Sequence, residues 1–569
     1  MKIVVVDTTQ IQPYIFGSNR MRENIGASYL VAQATGSWAL KEIHNILDFA
    51  SSQLDPSVTI GQGDVKAQVL YTGGGNVVIV FADDKQTDEF IRNFSRRVLQ
   101  DAPDLQIVIA TGEFQRGESL ALAVKATLEQ LRQKKQAREF SAPLLGLGVT
   151  VMCRSTRMPA VAKTRPTVKN EPETAYEASA EIHAKLDAAW PRGESGKDPS
   201  LADEALQRFL DLDEAYASPR EFDELGREAG VDSHIAIVHA DGNGVGNLFK
   251  QVAEKYARPD QNQKYIQHVY ELSEQVKTAS REALRAVGRR LVDRMKRDGG
   301  NAIRHYNRSG TLLADVVLRQ RDGKQLVPFR PLVFGGDDLT FVCDGRLGLA
   351  LTIAYLKEFE KQTENWVGKK LTACAGIAVV KTRYPFAVAY QLANDLCESA
   401  KRYRQQAKLE DSCLDWHFAL SDVSEKIEKI RGREYTSAQG GHLHLRPVAL
   451  TGGEGTGDEY KAYRRWEIVQ KGIDEFQDVY NDKAEWSTKR NKVKALREAL
   501  RQGETAVQRF CTQYRLTLPR LPYVNNPDHP QTGWQDKHCL YFDAIELMDW
   551  FIPLDPLPGD SDEEQRSDG

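Results

Sequence analysis

The chain has 569 residues, 41% of them hydrophobic and 27% charged, with a formal net charge of −4. That length exceeds one ordinary core and predicts about three or four domains of a globular protein. The near-balanced charge excludes a globally basic nucleic-acid surface, and no apolar run is long enough to cross a bilayer, so a cytoplasmic, membrane-free location is expected.

Ile3-Val4-Val5-Val6 is a short β-branched run ending at Asp7, which reads as a buried strand carrying a carboxylate at its C-terminal end. The polar stretch 8–28 follows, then a helix to about Ile46. Val69–Tyr71 and Val77–Phe81 flank Thr72-Gly73-Gly74-Gly75-Asn76, a strand–turn–strand. A helix from Lys85 to Gln100 and a strand at Gln106–Ala110 complete a β-α-β-β-α-β order, the ferredoxin-like unit. A further helix covers Ser119–Arg138 and a strand Leu144–Met152. The next stretch, to 232, reads as a linker or helical insertion with a mobile segment near Pro191–Pro199.

The pattern then recurs. Ile235–His239 is a strand ending in Ala240-Asp241-Gly242-Asn243-Gly244-Val245-Gly246-Asn247, and a long helix is expected over Gln261–Arg297. Leu312–Arg319 and Gln325–Phe334 read as strands around the hairpin turn Asp322-Gly323. After the turn Gly335-Gly336-Asp337-Asp338 and its return strand come a helix at Leu347–Gln362, a strand at Leu371–Val380 and a helix at Phe386–Arg404. Two such units in one chain form an internal duplication. The expected fold class is α+β, with two ferredoxin-like units, a helical insertion and a helical C-terminal domain.

The chemistry concentrates at the turns. Gly335 and Gly336 let the backbone bend sharply and leave space for a bulky anion, while Asp337 and Asp338 are hard oxygen donors suited to Mg²⁺. In this topology the end of the first strand lies beside the hairpin, so Asp241 should face Asp337 and Asp338. Three carboxylates there could hold two divalent ions about 4 Å apart, the arrangement that activates an attacking hydroxyl and steadies a pyrophosphate leaving group. The first unit offers only Asp7 and the turn Gly73–Asn76, and Asn76 carries no charge, so Gly74, Gly75 and Asn76 could cradle a nucleotide without metal chemistry. One active and one degenerate half is the expectation. The seven cysteines hold no C-x-x-C pair and no histidine precedes an aspartate, which leaves histidine-based metal hydrolysis and a zinc ribbon without local support.

The stretches Tyr14–Ser28, Gly73–Asn76, His239–Asn247, Phe334–Asp338, Ala373–Val380 and Leu392–Arg404 together resemble the paired palm domains of the large subunit of type III CRISPR effector complexes, the Cas10/Cmr2 family. The resemblance implies a first palm over 1–155, an insertion over 156–232 and a second, catalytic palm over 233–410. A helical C-terminal domain over 411–555 and a disordered acidic tail over 556–569 would follow. It implies that the second palm condenses ATP into cyclic oligoadenylate with two Mg²⁺ (or Mn²⁺) ions, while the first holds the acceptor ATP. Carried over by position, Asp241, Asp337 and Asp338 become catalytic metal ligands. The backbone of Gly242 and Asn243 meets phosphate or metal beside Gly335 and Gly336, and Lys401 contacts the triphosphate. Partners implied are ATP or another NTP, RNA, other effector subunits, or a second copy of the chain. The family's N-terminal HD nuclease motif and zinc module have no counterpart in the sequence, which suggests a trimmed relative.

The C-terminal third shows charged helical periodicity at Glu425–Lys429 and Glu459–Gln513, a strand-like His442–Leu450 whose histidines suit a solvated face, and an amphipathic helix over Leu540–Phe551. Two other functions stay open at this point: a non-catalytic nucleotide-binding scaffold in an RNA-guided complex, and a cyclic dinucleotide synthase using GTP.

Overall fold

β-branched and alanine-rich runs, the central ones buried on both faces, build two sheets. The computed structural model describes residues 1–47, 66–137, 148–166, 172–192, 198–225, 233–419, 425–477, 485–486 and 489–555. In the first unit β1 (Lys2–Thr9), β2 (Ala67–Gly73), β3 (Asn76–Phe81) and β4 (Gln106–Glu113) form an antiparallel sheet of order β2-β3-β1-β4. Its helices are α1 (Met21–Gln33), α2 (Asp84–Asp101) and α3 (Leu120–Gln136), the last capped by the Ser119 hydroxyl.

Between the units lie α4 (Ala180–Ala189) and α5 (Leu201–Leu210). The second unit carries β5 (His234–Gly242), α6 (Val245–Lys255), α7 (Asn262–Arg297), β6 (Phe329–Val333), β7 (Leu339–Asp344), α8 (Gly348–Val367), β8 (Ala373–Lys381) and α9 (Phe386–Gln406). Two later strands, β9 (Cys413–Ala419) and β10 (Val448–Ala449), extend its sheet to the order β6-β7-β5-β8-β9-β10, with β9 parallel to β8. The four leading strands repeat the order of the first sheet.

Strand periodicity decides which helix meets which face. In β1, Val4 and Val6 pack with Phe90 and Phe94 of α2, while Ile3 and Val5 pack with Val124 and Leu131 of α3. The latter cluster also takes in Tyr265, Ile266 and Val269 of α7, so the second unit's crossover helix covers the first unit's sheet. The reverse holds too. Ile235 and Ile237 of β5 and Val380 of β8 share a core with Ile25 and Leu30 of α1. Phe16 stacks on Tyr390 of α9 with ring centroids 4.0 Å apart, and the Asn19 side chain accepts from the backbone N–H of Phe386 at 2.8 Å. Each sheet is thus closed by its own last helix and by crossover helices from the other unit.

Several expectations are corrected. The polar stretch after β1 is largely helical, through Ile11–Phe16 and α1. Leu312–Val317 does not join the Asp322-Gly323 hairpin; it pairs with Ala302–Tyr306 in a separate ribbon. The hairpin is shorter, Gln320–Arg321 against Lys324–Leu326, because Pro328 interrupts the expected long strand before β6. Helix α6 begins inside the glycine-rich run that follows β5, ahead of the long helix expected from Gln261. The second sheet continues past residue 410, so the C-terminal region is not purely helical: it adds two strands and then α10 (Trp466–Gln477), α11 (Arg490–Gln502) and α12 (Glu504–Tyr514). Within Leu540–Phe551 only Phe542–Leu547 is helical, with Phe542, Ala544 and Leu547 buried and Ile545 half-buried. His444 is not on a solvated face: its Nδ1 donates to the Arg446 carbonyl at 2.7 Å, and burial drives its pKa far down. Of the expected strand 144–152, residues 144–147 lie outside the described residues and 148–152 form a turn with only Met152 bridging to Pro159; the middle of the segment 191–199 and the tail 556–569 also lie outside the described residues.

Candidate active site

The strand end and the turn meet as the topology requires. Ala240 pairs with Leu339 across β5 and β7, which sets Asp241 opposite Asp338. The Gly242 N–H donates to the Asp337 carbonyl at 3.2 Å, and a Cβ at Gly242 would lie 2.8 Å from Asp337 Cβ, so only glycine admits Asp337 there. Gly335 has φ 109°, a conformation that favours glycine, and open space around it. The turn is not uniformly solvent-facing: Asp337 is half-buried, whereas Asp338 is the more exposed residue, its carboxyl packed in beside Asp241.

Dense packing and mutual repulsion act on these carboxyls together. Burial, then the neighbouring Asp241, pushes Asp337 up to about 6. Asp338 is raised further by burial and by repulsion from Asp241 and Asp337, with its carboxyl in hydrogen-bond reach of Asp241. Carboxyls crowded in this way favour an added cation, since it would remove the repulsion that holds their protons on. Beside them stands a cation, Lys401 on α9. Its ammonium bonds to Asp241 and, at 2.9 Å, to Glu398. Burial pulls the Lys401 pKa down, but those bonds outweigh it and leave the pKa raised.

Other expected residues are placed differently. The Asn243 N–H donates to the Thr372 carbonyl at 2.8 Å, and its side-chain amide donates to the Thr372 hydroxyl at 3.0 Å. The N–H groups of Gly242 and Asn243 are therefore engaged by the protein. Among the described residues no group of three or more His, Cys, Asp or Glu side chains is arranged to hold a metal ion. The donor chemistry of Asp241, Asp337 and Asp338 still fits a hard cation, with Lys401 on Asp241 as its present counter-charge.

In the first unit Asp7 pairs with Asn76 in register, so Asn76 stands where Asp338 does and Gly75 where Asp337 does. Gly75 is buried at φ 85° with Thr8 and Ile11 so near that a Cβ would strike both, and the Thr8 hydroxyl donates to its carbonyl at 3.0 Å. Gly74 is exposed. Asp7 bonds to Lys135 of α3; burial raises the Asp7 pKa although Lys135 opposes it. A cavity of ≈ 610 Å³ opens beside them, lined by Thr8, Gln10, Gln12, Gln106 and Lys135 among others.

Sequence reasoning missed Lys135. It lies 27 residues after Val108, the register partner of Asp7, just as Lys401 lies 27 residues after Cys374, the register partner of Asp241. The signal was present in the repeat but needed the strand registers to be read. Also missed were Ser280 of α7, whose hydroxyl donates to the Gly336 carbonyl, and His239, 3.1 Å from the Thr340 hydroxyl and kept neutral by burial, with its pKa lowered to about 4.

Residues 234–410 match the family model for the second palm domain of Cas10/Cmr2. No curated protein matches the chain. Among solved structures, the Csm1-Csm4 cassette in complex with cA4 aligns at 13% identity and a TM-score of 0.49 over 96% of this chain and 68% of that one. The same cassette with one ATP aligns at 13% identity and a TM-score of 0.49 over 96% and 69%. Its apo form aligns at 14% identity and a TM-score of 0.40 over 70% and 52%.

Proposed function

We propose that this chain, whose residues 234–410 match the family model for the second palm domain of Cas10/Cmr2, is a metal-dependent nucleotidyltransferase of a type III CRISPR-like antiviral system. It condenses ATP into a cyclic oligoadenylate messenger, with the second unit as the catalytic palm and the first as a degenerate palm that holds the acceptor ATP. The observation that carries this reading is the convergence of Asp241, Asp337 and Asp338 beside Lys401 at one strand end. Two Mg²⁺ ions held there would polarise the attacking 3′-hydroxyl and the leaving pyrophosphate.

The chain's own residues set up the rest. Gly335 and Gly336 keep the space over the carboxyls clear. Lys401, a point charge on a flexible stem, can move from Asp241 to the triphosphate, and its departure leaves Asp241 free to act as a ligand. Ser280 fixes the Gly336 carbonyl, which limits how far the turn can open when a nucleotide enters. Effector subunits and RNA are the partners of this reading.

Purified protein incubated with each NTP and Mg²⁺ or Mn²⁺, with and without RNA, should yield a cyclic oligoadenylate from ATP by mass spectrometry. The double variant Asp337→Asn, Asp338→Asn should lose that product completely while its circular dichroism stays that of the parent. Product from the double variant would remove the metal-ligand assignment. A second reading, a nucleotide-binding scaffold without turnover, is favoured by one observation: Lys401 already neutralises Asp241. ATP binding without product under every condition would select it.

A further inference from the structure

The first unit poses a charge problem. Gly75 and Asn76 replace the two carboxyls of the second turn, so this turn has no hard oxygen pair with which to recruit a divalent ion. A nucleoside triphosphate seated there would nonetheless need several positive charges around it. Helix α7 supplies one from the other half of the molecule. Where a Cβ would stand on Gly73, Lys277 Cε is 3.3 Å away and its Nζ 3.8 Å away. Gly73, at φ 105°, is held as glycine by its backbone and leaves room for the lysine to lie against the turn. At the corresponding Gly335 of the second turn nothing lies within 4 Å, so the lysine cap belongs to the first turn alone.

Three residues along α7, one helical turn away, Ser280 bonds to Gly336 of the second turn. The same helix therefore touches both glycine turns. Lys277 has Glu274 as its partner at 2.7 Å; the lysine side chain is 25% exposed and the glutamate 48%. An i,i+3 pair this accessible is worth little, so the ammonium can exchange a carboxylate for a phosphate at small cost.

We propose that Lys277, together with Lys135 at the strand end, provides the counter-charge for the phosphates of a nucleotide held at the Gly73–Asn76 turn, so that this half-site binds its nucleotide without a divalent ion. The inference rests on the reading that the first unit holds a nucleotide. It adds that a residue of the second unit completes that site, and that the two half-sites differ in the source of positive charge: lysines in one, metal in the other. The bland alternative gives Lys277 no role beyond its helix-surface pair with Glu274.

The test uses the full chain carrying Asp337→Asn and Asp338→Asn, titrated with a non-hydrolysable ATP analogue in EDTA by calorimetry. One metal-independent site is expected. Adding Lys277→Ala should weaken it about tenfold to a hundredfold, the range of a lost charge-assisted contact, whereas Lys277→Arg should stay within about threefold. Glu274→Ala should leave affinity unchanged or slightly improved. No binding in EDTA, or equal affinity with and without Lys277, overturns the proposal. So does an equal loss in Glu274→Ala, which would reduce Lys277 to helix support. The product assay on wild-type protein with Mg²⁺ is independent. Product without a Lys277-dependent site sinks only this inference, and a Lys277-dependent site without product sinks only the synthetic activity.

Discussion

At the scale of single residues, the position of Lys401 is set by an atom that is absent. A Cβ on Gly376 would lie 2.0 Å from the Ala393 carbonyl oxygen and 2.3 Å from the Cys397 nitrogen, so α9 rests directly on β8 at that point. Gly376→Ala should push the helix outward, cost about 1–3 kcal/mol of stability and separate Lys401 from Asp241. Urea unfolding would read the first effect and kcat/KM for ATP the second. A variant with parental stability and activity would show that α9 can slide without consequence. At this scale the approach of Asp241 to Asp337 and Asp338 was legible, because the strand order alone sets the end of β5 beside the turn. Lys135 and Lys277 were not. One needs the strand register and the other the docking of a distant helix, neither of which is written in local spacing.

Elements are held in place by buried charge as well as by apolar contact. Arg330 of β6, the strand that leads into the Gly335–Asp338 turn, is fully buried and donates to Asp203 of α5 at 2.6 Å and to the Pro219 carbonyl at 3.0 Å. Arg220 bonds to the same carboxylate at 2.6 Å. Burial raises the Asp203 pKa, but the two arginines overcome it and hold the pKa down at about 2. Asp203→Ala would strand Arg330 without a counter-charge, and a stability loss of about 3–5 kcal/mol is expected by chemical denaturation. A loss under 1 kcal/mol would mean that Arg330 finds solvent. Strands were legible as elements where runs rich in apolar and β-branched residues were continuous, as in β1 and β5. The Leu540–Phe551 helix was over-read because its apolar side chains, buried on several sides, mimic an amphipathic stripe. Helix α6 was under-read because Gly244 and Gly246 suggest a loop, although Gly244 at φ 79° is only the residue before the first turn.

The whole molecule folds around mutual cover. The duplication and the strand order of each unit were readable, since they follow from pattern and connectivity. The exchange of crossover helices was not, because periodicity says that a face is apolar but not which element closes it. Stability at this scale should depend on pH through histidines buried without charge. His305, 3% exposed and 3.4 Å from the Gln477 side chain, has its pKa lowered to about 4 by burial, and His239 is lowered to the same level. Below pH 6.5 the unfolded chain takes up protons that the folded chain refuses. Their contribution is therefore complete above pH 6.5 and is lost as the pH falls toward 4, by about 1.4 kcal/mol per pH unit for each such site. His305→Gln should flatten that slope by about one proton in urea midpoints taken between pH 4.5 and 7.5. An unchanged slope would mean that His305 is protonated in the folded protein.

The reach of α7 into the first unit bears on how this chain can be divided. A cut anywhere between α3 and β5 would separate a sheet from part of its roof on both sides, exposing Ile3 and Val5 on one piece and Tyr265, Ile266 and Val269 on the other. Neither piece should behave well alone, yet each would carry the other's missing wall. Co-expressed from two open reading frames, they are expected to find one another and reconstitute the parent, as a split reporter does.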